Sequence, residues 1–401
     1  MAAALIDAYW NDWLDLLIRW LHVVAGIVWI GTSFYFVALD NHLGRPKEKH
    51  DIDDGVGGET WEIHGGGFYR ISKWTVAPRE LPEPLHWFKL EAYATWLSGF
   101  ALLVVLYYFD AETYLVDRSV RDIDPAAAVT LSLLGLGVAW VLYDLACRIF
   151  RHELLMGLFL LGLVVASAYG ASQVFSGRAA YLQVGAMLGT IMAANVLFNI
   201  IPAHWELIRA KERGEAPDPG PGLEAKRRSV HNNYLTLPVV FAMISNHFPF
   251  TFGHDHGWLV LVALVVIGAW VRHYFNLRHA GRTVWWIPVT AAVAVVTLAI
   301  AIRPDDGDGG GGGAPAKAVS TEEAQAIVQQ RCTPCHAQDP TQEGFASAPS
   351  GVAFDTLEQI ESQASAIKSQ AVDSKSMPLG NVTGMTDEER ESLGAWISSL
   401  E

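Results

Sequence analysis

Charge is what this sequence has least of. Only 17% of its 401 residues are Asp, Glu, Lys or Arg, and 51% are hydrophobic; soluble domains run nearer a quarter charged. That shortage excludes an ordinary water-facing surface over most of the chain. Positive charge is scarcer still. A net charge of −14 excludes a nucleic-acid partner. Cysteine is limited to three residues. Cys332 and Cys335 share one motif, which leaves Cys147 alone at an expected helix end, where a lone thiol packs as a small apolar group. No disulfide framework follows. A cleavable leader is not expected either. The first apolar run, 13–39, is too long for one and lacks a small-residue cleavage site.

Long apolar runs are what the chain has in abundance. They fall at 13–39, 88–109, 126–146, 154–174, 181–202, 233–250, 257–275 and 283–302. Each is near the ~20 residues a helix needs to cross a bilayer core. The connecting segments alternate in basic charge. Segment 40–87 carries Arg45, Lys47, Lys49, Arg70, Lys73 and Arg79, whereas 110–125 carries five acidic residues against two arginines. Basic residues return at Arg148 and Arg151, through 203–232, and in a turn with Arg272, Arg278 and Arg282. Basic loops stay in the cytoplasm, so eight spans with both termini outside are expected.

Residues 303–318, RPDDGDGGGGGAPAKA, then read as a flexible tether. Sixteen such residues reach roughly 20–24 Å on average. From 319 hydrophobicity drops and helix signals return. Ser320 with Glu323, and Thr386 with Glu389, have capping-box spacing, and Asp355 precedes a third helical stretch. Between the first two lies RCTPCHAQ, 331–338. Cys332, Cys335 and His336 spell C-x-x-C-H, the attachment signature of a c-type haem. The thiols form thioethers to the porphyrin and His336 becomes an axial iron ligand. No second ligand pair follows, as a zinc site would need. Helix, haem tag and two further helices within about 80 residues resemble a class I cytochrome c. In that family a methionine before the last helix supplies the sixth ligand. Met377, in SKSMPLGN, fits that loop better than Met385, which abuts the final helix cap. Covalent haem attachment occurs outside the cytoplasmic membrane, which agrees with an outward C-terminus.

Within the spans, ionisable residues are the functional candidates. His22 lies inside the first, in RWLHVVAGIVWIG. It either bonds a neighbouring helix or ligates a b-type haem, with His247 the least implausible partner. His86, His152, His204, His231 and His273 gather at the expected cytoplasmic ends, where ordinary interfacial hydrogen bonds are the simplest role. Asn195 and Asn199, four apart, share a helix face; they are interhelical glue or donors and acceptors for a heterocyclic amide. The first cytoplasmic segment contains ETWEIHGGGFYRISKW, 59–74. There Trp61 and Trp74 can stack on a flat ring, Arg70 can hold an anion, and Glu62 or His64 can accept a proton. The alternative is an interfacial segment anchored by tryptophans.

RWLHVVAGIVWIGTSFYF (19–36), WEIHGGGFYR (61–70) and PLHWFKLEAYATWLSG (84–99) resemble the membrane-bound, cytochrome-c-fused urate hydroxylases of bacterial purine catabolism. The resemblance implies an all-α protein: an eight-helix membrane domain over 1–302, a linker over 303–318 and a cytochrome c domain over 319–401. It implies oxidation of urate to 5-hydroxyisourate, with electrons passed to the C-terminal haem and on to a respiratory acceptor rather than directly to oxygen. The location implied is the inner membrane, with the cytochrome in the periplasm. One difficulty is geometric. Urate bound at the cytoplasmic loops would lie about 30 Å from an outer haem, so either a b haem stands between or urate reaches a cavity nearer the outer face. Two other readings remain: an electron conduit fed by quinol or a partner, and a transporter whose cytochrome tail is a sensor.

Overall fold

A computed structural model describes residues 8–303, 319–342, 345 and 347–400. The linker expected at 303–318 lies, apart from Arg303, outside the described residues, as does Glu401. The chain is mostly helical. Helix α1 (Ala8–His42) leads to a short α2 (Lys49–Asp53) and then to two strands, β1 (Val56–His64) and β2 (Gly67–Trp74). Next come α3 (Leu90–Leu103), continued by a π-helical turn over Val104–Tyr108, and α4 (Ala111–Tyr114). Then follow α5 (Pro125–Ile149), α6 (Glu153–Ser172), α7 (Gly177–Asn195), a second π turn (Val196–Ile200) and α8 (Ile201–Glu212). The chain continues with α9 (Pro219–Ile244), α10 (Pro249–Phe252), α11 (Gly257–His279) and α12 (Trp286–Ala301). Beyond the linker are α13 (Thr321–Arg331), α14 (Leu357–Ser362), α15 (Ala364–Ile367) and α16 (Asp387–Ser398).

Two expectations change. The chain is not all-α: residues 56–74 form an antiparallel hairpin, pairing Trp61 with Arg70 and His64 with Gly67. Its Gly65–Gly66 turn has both residues at positive φ, which suits the two-residue connection that favours hairpins. Alternation of side chains in β1 and β2 was masked in the sequence by the glycines and tryptophans around it. Nor do eight helices qualify as spans. Six described helices are long and apolar enough to cross a membrane: Trp13–His42, Leu90–Tyr108, Pro125–Ile149, Glu153–Ser172, Gly177–Glu212 and Gly257–His279. The sixth run falls on α9, whose first half is polar and which carries Pro238 inside it. The eighth is α12, apolar but only 16 residues, about 24 Å long.

Helix α7 lies at the centre, buried on most of its length, and packs against α5, α6 and α9; α9 in turn packs against α11, and α1 against α3. The outward faces of α1, α6 and α12 are bare apolar surface, with Trp20, Ile27, Leu154, Leu158, Val289 and Val293 exposed. Apolar surface on that scale is not left in water by a monomer. It is compatible with a bundle standing in lipid.

The C-terminal segment has its own core. Val328, Ile360, Leu393, Trp396 and Ile397 are buried there, and α13 packs on α16. Its caps follow the sequence closely. Ser320 Oγ accepts from Glu323 N, and Thr386 and Glu389 form a complete capping box. For α14 the cap is Thr356, in a box with Gln359, while Asp355 accepts from Gln338 N instead. This segment docks on one end of the bundle. Gly380 sits so close to α4 that an added Cβ would meet the Thr113 and Val116 carbonyls at 2.8 Å, and one on Gly253 would clash with Ser374 O. The docking loops, 110–117 and 249–257, belong to the end that the charge pattern assigns to the outside. A cavity of about 630 Å³ remains between the two parts, lined by Tyr114, Arg178, Tyr181, His254, Met385 and Arg390 among others.

Candidate functional site

Four consecutive residues of α9, His231–Asn232–Asn233–Tyr234, make the bundle's interior polar. Successive helical positions point about 100° apart, so each addresses a different neighbour. On one side His231 Nδ1 is 2.8 Å from Tyr143 Oη on α5, and its Nε2 is 3.1 Å from Glu153 Oε2 on α6. Asn195 Nδ2 donates both to Tyr143 Oη and to Asn232 Oδ1, each at 2.9 Å, and Asn232 Nδ2 donates to Met192 O. Because the Tyr143 oxygen accepts from Asn195, its one proton is free to go to His231 Nδ1, and Nε2–H then faces Glu153. The result is a directed chain from the buried Asn195 to the solvent-exposed Glu153. Cys147 is fully buried beside it, with Sγ 3.8 Å from Met156 Sδ.

Arg228, 1% exposed, closes this side. Its guanidinium donates to Asp144 Oδ1 at 2.8 Å, Glu224 Oε1 at 3.0 Å and Asn195 Oδ1 at 3.1 Å. A buried charge must be paired and hydrogen-bonded to be tolerated, and here it is.

The other side, facing α11 and α1, is left unsatisfied. Arg272 Nε donates to Asn233 Oδ1 at 2.9 Å, and the guanidinium carbon lies 3.9 Å from the centre of the Phe34 ring. Arg272 is 3% exposed and Asn233 fully buried, yet Arg272 Nη2 and Asn233 Nδ2 have no partner among the described residues. Further along the same face of α11, Asn276 Oδ1 and His279 Nδ1 are also unpartnered. Tyr234 Oη and His273 Nδ1 bond at 2.7 Å, and Trp270 stacks on His273.

The chain belongs to the urate oxidase N-terminal family. The family model matches residues 8–303, which take in the whole bundle and the hairpin and end before α13. No curated protein and no solved structure matches the chain. Membership of the urate oxidase N-terminal family ties the bundle to urate-related oxidoreductase chemistry.

Within this family member the three hairpin candidates do not converge. Pairing puts Arg70 on one face with Trp61, and Glu62 and His64 on the other. Arg70 donates to Glu59 Oε2 at 2.6 Å and also to Asp51, so carboxylates already occupy its guanidinium. Glu62 accepts from Tyr35 Oη at 3.0 Å. Trp74 Nε1 donates to Asp54. Trp61 and Phe68 are 63% and 77% exposed, as an interfacial anchor would be.

His22 Nδ1 lies 3.0 Å from Thr95 O and 3.2 Å from Ser98 Oγ on α3, with Gly99 against the ring. That orients the imidazole and leaves Nε2 as the nitrogen open to a metal. His247 ends the α9 segment as an exposed residue, and no described contact joins it to His22. The π turn after Asn195 breaks the helical spacing that would set Asn195 and Asn199 on one face. Asn195 is fully buried in the network while Asn199 is only half-buried, with Nδ2 unpartnered. Of the other histidines, His152 caps α6 by accepting from Leu154 N.

In the C-terminal segment one turn of chain carries the motif: His336 N donates to Cys332 O at 2.9 Å. His336 Nδ1 lies 2.9 Å from Val352 O, so Nδ1–H is engaged and Nε2 presents its lone pair, as an axial ligand must. Burial pushes the Cys332 thiol up to about 12 and raises that of Cys335, with Asp110 adding to the second. Met385 is buried in the core, its backbone held at N and O by the Asn381 side chain. Met377 lies at the core's edge, its carbonyl accepting from Arg390 Nη1 at 2.7 Å. These positions fit a c-type haem: two thiols, one oriented imidazole and an available thioether.

Sequence reasoning missed Tyr143, Asn232, Asn233 and Phe34. It also placed Arg228 and Arg272 in cytoplasmic loops, whereas both are buried. The signal available was the adjacent pair Asn232–Asn233 at the head of an apolar run.

Proposed function

We propose that the chain oxidises urate to 5-hydroxyisourate inside the bundle and delivers the electrons to a c-type haem on its C-terminal segment. The overall change balances as urate plus water giving 5-hydroxyisourate, two electrons and two protons. The observation that carries the reading is a family match over 8–303 in a chain whose docked tail bears C-x-x-C-H with His336 oriented by Val352.

Cys332 and Cys335 would form the thioethers, and His336 Nε2 and Met377 Sδ the axial bonds. The haem supplies a one-electron acceptor, so each turnover needs two transfers and a respiratory acceptor downstream. A b-type haem, were one bound, would take His22 Nε2, since Nδ1 is engaged by Thr95 and Ser98. Tyr143, His231 and Glu153 would relay protons released in the oxidation to the exposed rim: Tyr143 passes its proton to His231 Nδ1 and takes up a released one in its place, His231 Nε2 passes one to Glu153, and Asn195 orients the Tyr143 hydroxyl. The hairpin residues Glu62, His64 and Arg70 are assigned an anchoring role at the membrane surface rather than a catalytic one. The bundle would lie in the inner membrane with the tail on the periplasmic side.

The test follows the oxygen atom. Turnover in water enriched in heavy oxygen should label the product at C5, with no hydrogen peroxide formed. Label from molecular oxygen, or peroxide in step with product, would sink the reading. Reduction of the haem by quinol together with indifference to urate would replace it with the electron-conduit reading.

A further inference from the structure

We propose that the α9–α11 seam is the substrate-binding site, where Arg272 and Asn233 hold a planar heterocyclic anion, urate, beside Phe34. The assignment rests on the urate-oxidising reading and names the residues that would recognise the ring.

Two faces of one helix, α9, stand in contrast. Toward α5, α6 and α7, α9 presents polar groups that are satisfied: Arg228 has two carboxylates and an amide, and the Asn195 and Asn232 amides are spent on each other, on Tyr143, on Arg228 and on Met192 O. Toward α11 it presents groups that are not. Arg272 Nη2 and Asn233 Nδ2 are buried donors without acceptors. Among the described residues no carboxylate forms an ion pair with Arg272. A buried guanidinium without a counter-charge is costly anywhere and more so in a helix apolar enough to span a membrane. What satisfies it is an anion.

The seam also specifies which kind. With Nε given to Asn233, Arg272 Nη2 is the group left to donate to an anionic acceptor, such as a deprotonated amide of a ring. The Phe34 ring, 3.9 Å from the guanidinium carbon, steadies that group by a cation–π contact. Asn233 Nδ2 supplies a further donor. Asn276, one turn beyond Arg272 on the same face, supplies an acceptor at Oδ1 for a ring N–H, and His279 Nδ1 serves as either by tautomer. Urate is flat, carries one negative charge at neutral pH and alternates carbonyls with N–H groups around its edge. A lipid phosphate or a halide would use the cation but leave Asn276 unsatisfied. Arg272 is 15 residues from Gly257, about 22 Å along α11 from the docked end. The substrate therefore sits toward the inner side of the bundle, and His22, about 18 Å along α1 from Phe34, lies on the way out.

The experiment uses the full-length protein with its haem and measures radiolabelled urate binding separately from haem reduction. Arg272→Gln should weaken urate binding roughly 10–150-fold, as loss of a charged hydrogen-bond partner does. Asn233→Asp guards against misfolding. It is isosteric and places a carboxylate against Arg272, so the variant should melt no lower than wild type yet lose urate binding by at least about tenfold. Wild-type affinity in both variants would overturn the assignment, whatever the haem does. Urate binding by the wild type that both variants lose, without haem reduction in any of them, would sink the proposed reaction and leave the seam standing.

Discussion

Tyr143 links two halves of the buried network with a single oxygen, accepting from Asn195 and facing His231. Replacing it by Phe leaves an amide N–H and an imidazole nitrogen buried without partners. The expected cost is about 1–3 kcal/mol, read as a lowered melting temperature. If protons leave by this chain, kcat should fall more than KM rises, and a fall confined to KM would contradict that role. A second residue-scale test separates the two methionines. Met377→Ala should abolish the weak sulfur-to-iron band at the red end of the oxidised spectrum while the protein keeps its haem. Met385→Ala should keep the band but destabilise the segment by about 2–5 kcal/mol, since it empties a core position. The reverse pattern would make Met385 the ligand.

At the scale of elements, α16 and the docking loops can be tested apart. Burial alone would raise the Glu389 carboxyl, but the Arg331 guanidinium and the Thr386 amide outweigh it and hold it below the usual carboxylate range. A depressed folded value stabilises the segment above the ordinary carboxylate range, and that stability is lost as pH falls through the folded value. Glu389→Gln should therefore lower the melting temperature at neutral pH and flatten its acid dependence; an unchanged acid limb would remove Glu389 from the account. On the bundle side, Gly253→Ala has an ordinary φ but no room against Ser374. It should slow urate-driven haem reduction without changing haem content, and an unaffected rate would mean that docking at this seam does not govern transfer.

What the sequence made legible follows from the range of the forces involved. The caps at Ser320 and Thr386 and the apolar runs are local patterns; the structure carries both caps at the same residues and six of the eight runs on helices long and apolar enough to cross a membrane. The hairpin was hidden because its exposed faces carry Trp61, Ile63 and Phe68, so no polar–apolar alternation marks it. The buried arginines were hidden for a different reason. An arginine at the end of an apolar run looks like a cytoplasmic anchor, and only packing shows that Arg228 has found Asp144 while Arg272 has found Phe34. The pairing of Asn195 with Asn232 is likewise a contact between helices that no single-helix spacing contains.

For the whole molecule, the claim is that a bundle of the urate oxidase N-terminal family and a docked C-x-x-C-H segment act as one electron path. The acidic loop 110–117 and the loop 249–257 are where that segment sits, so a protease added to the outer side of sealed vesicles should release the tail; release only from inside-out vesicles would reverse the orientation. The most direct measurement of the central claim is to mix the full-length, oxidised protein with urate in the absence of oxygen and follow the haem absorption bands. The account predicts that urate alone reduces the c-type haem, with one urate consumed for every two electrons delivered. Bands that stay oxidised with urate, in protein whose haem dithionite readily reduces, would contradict it.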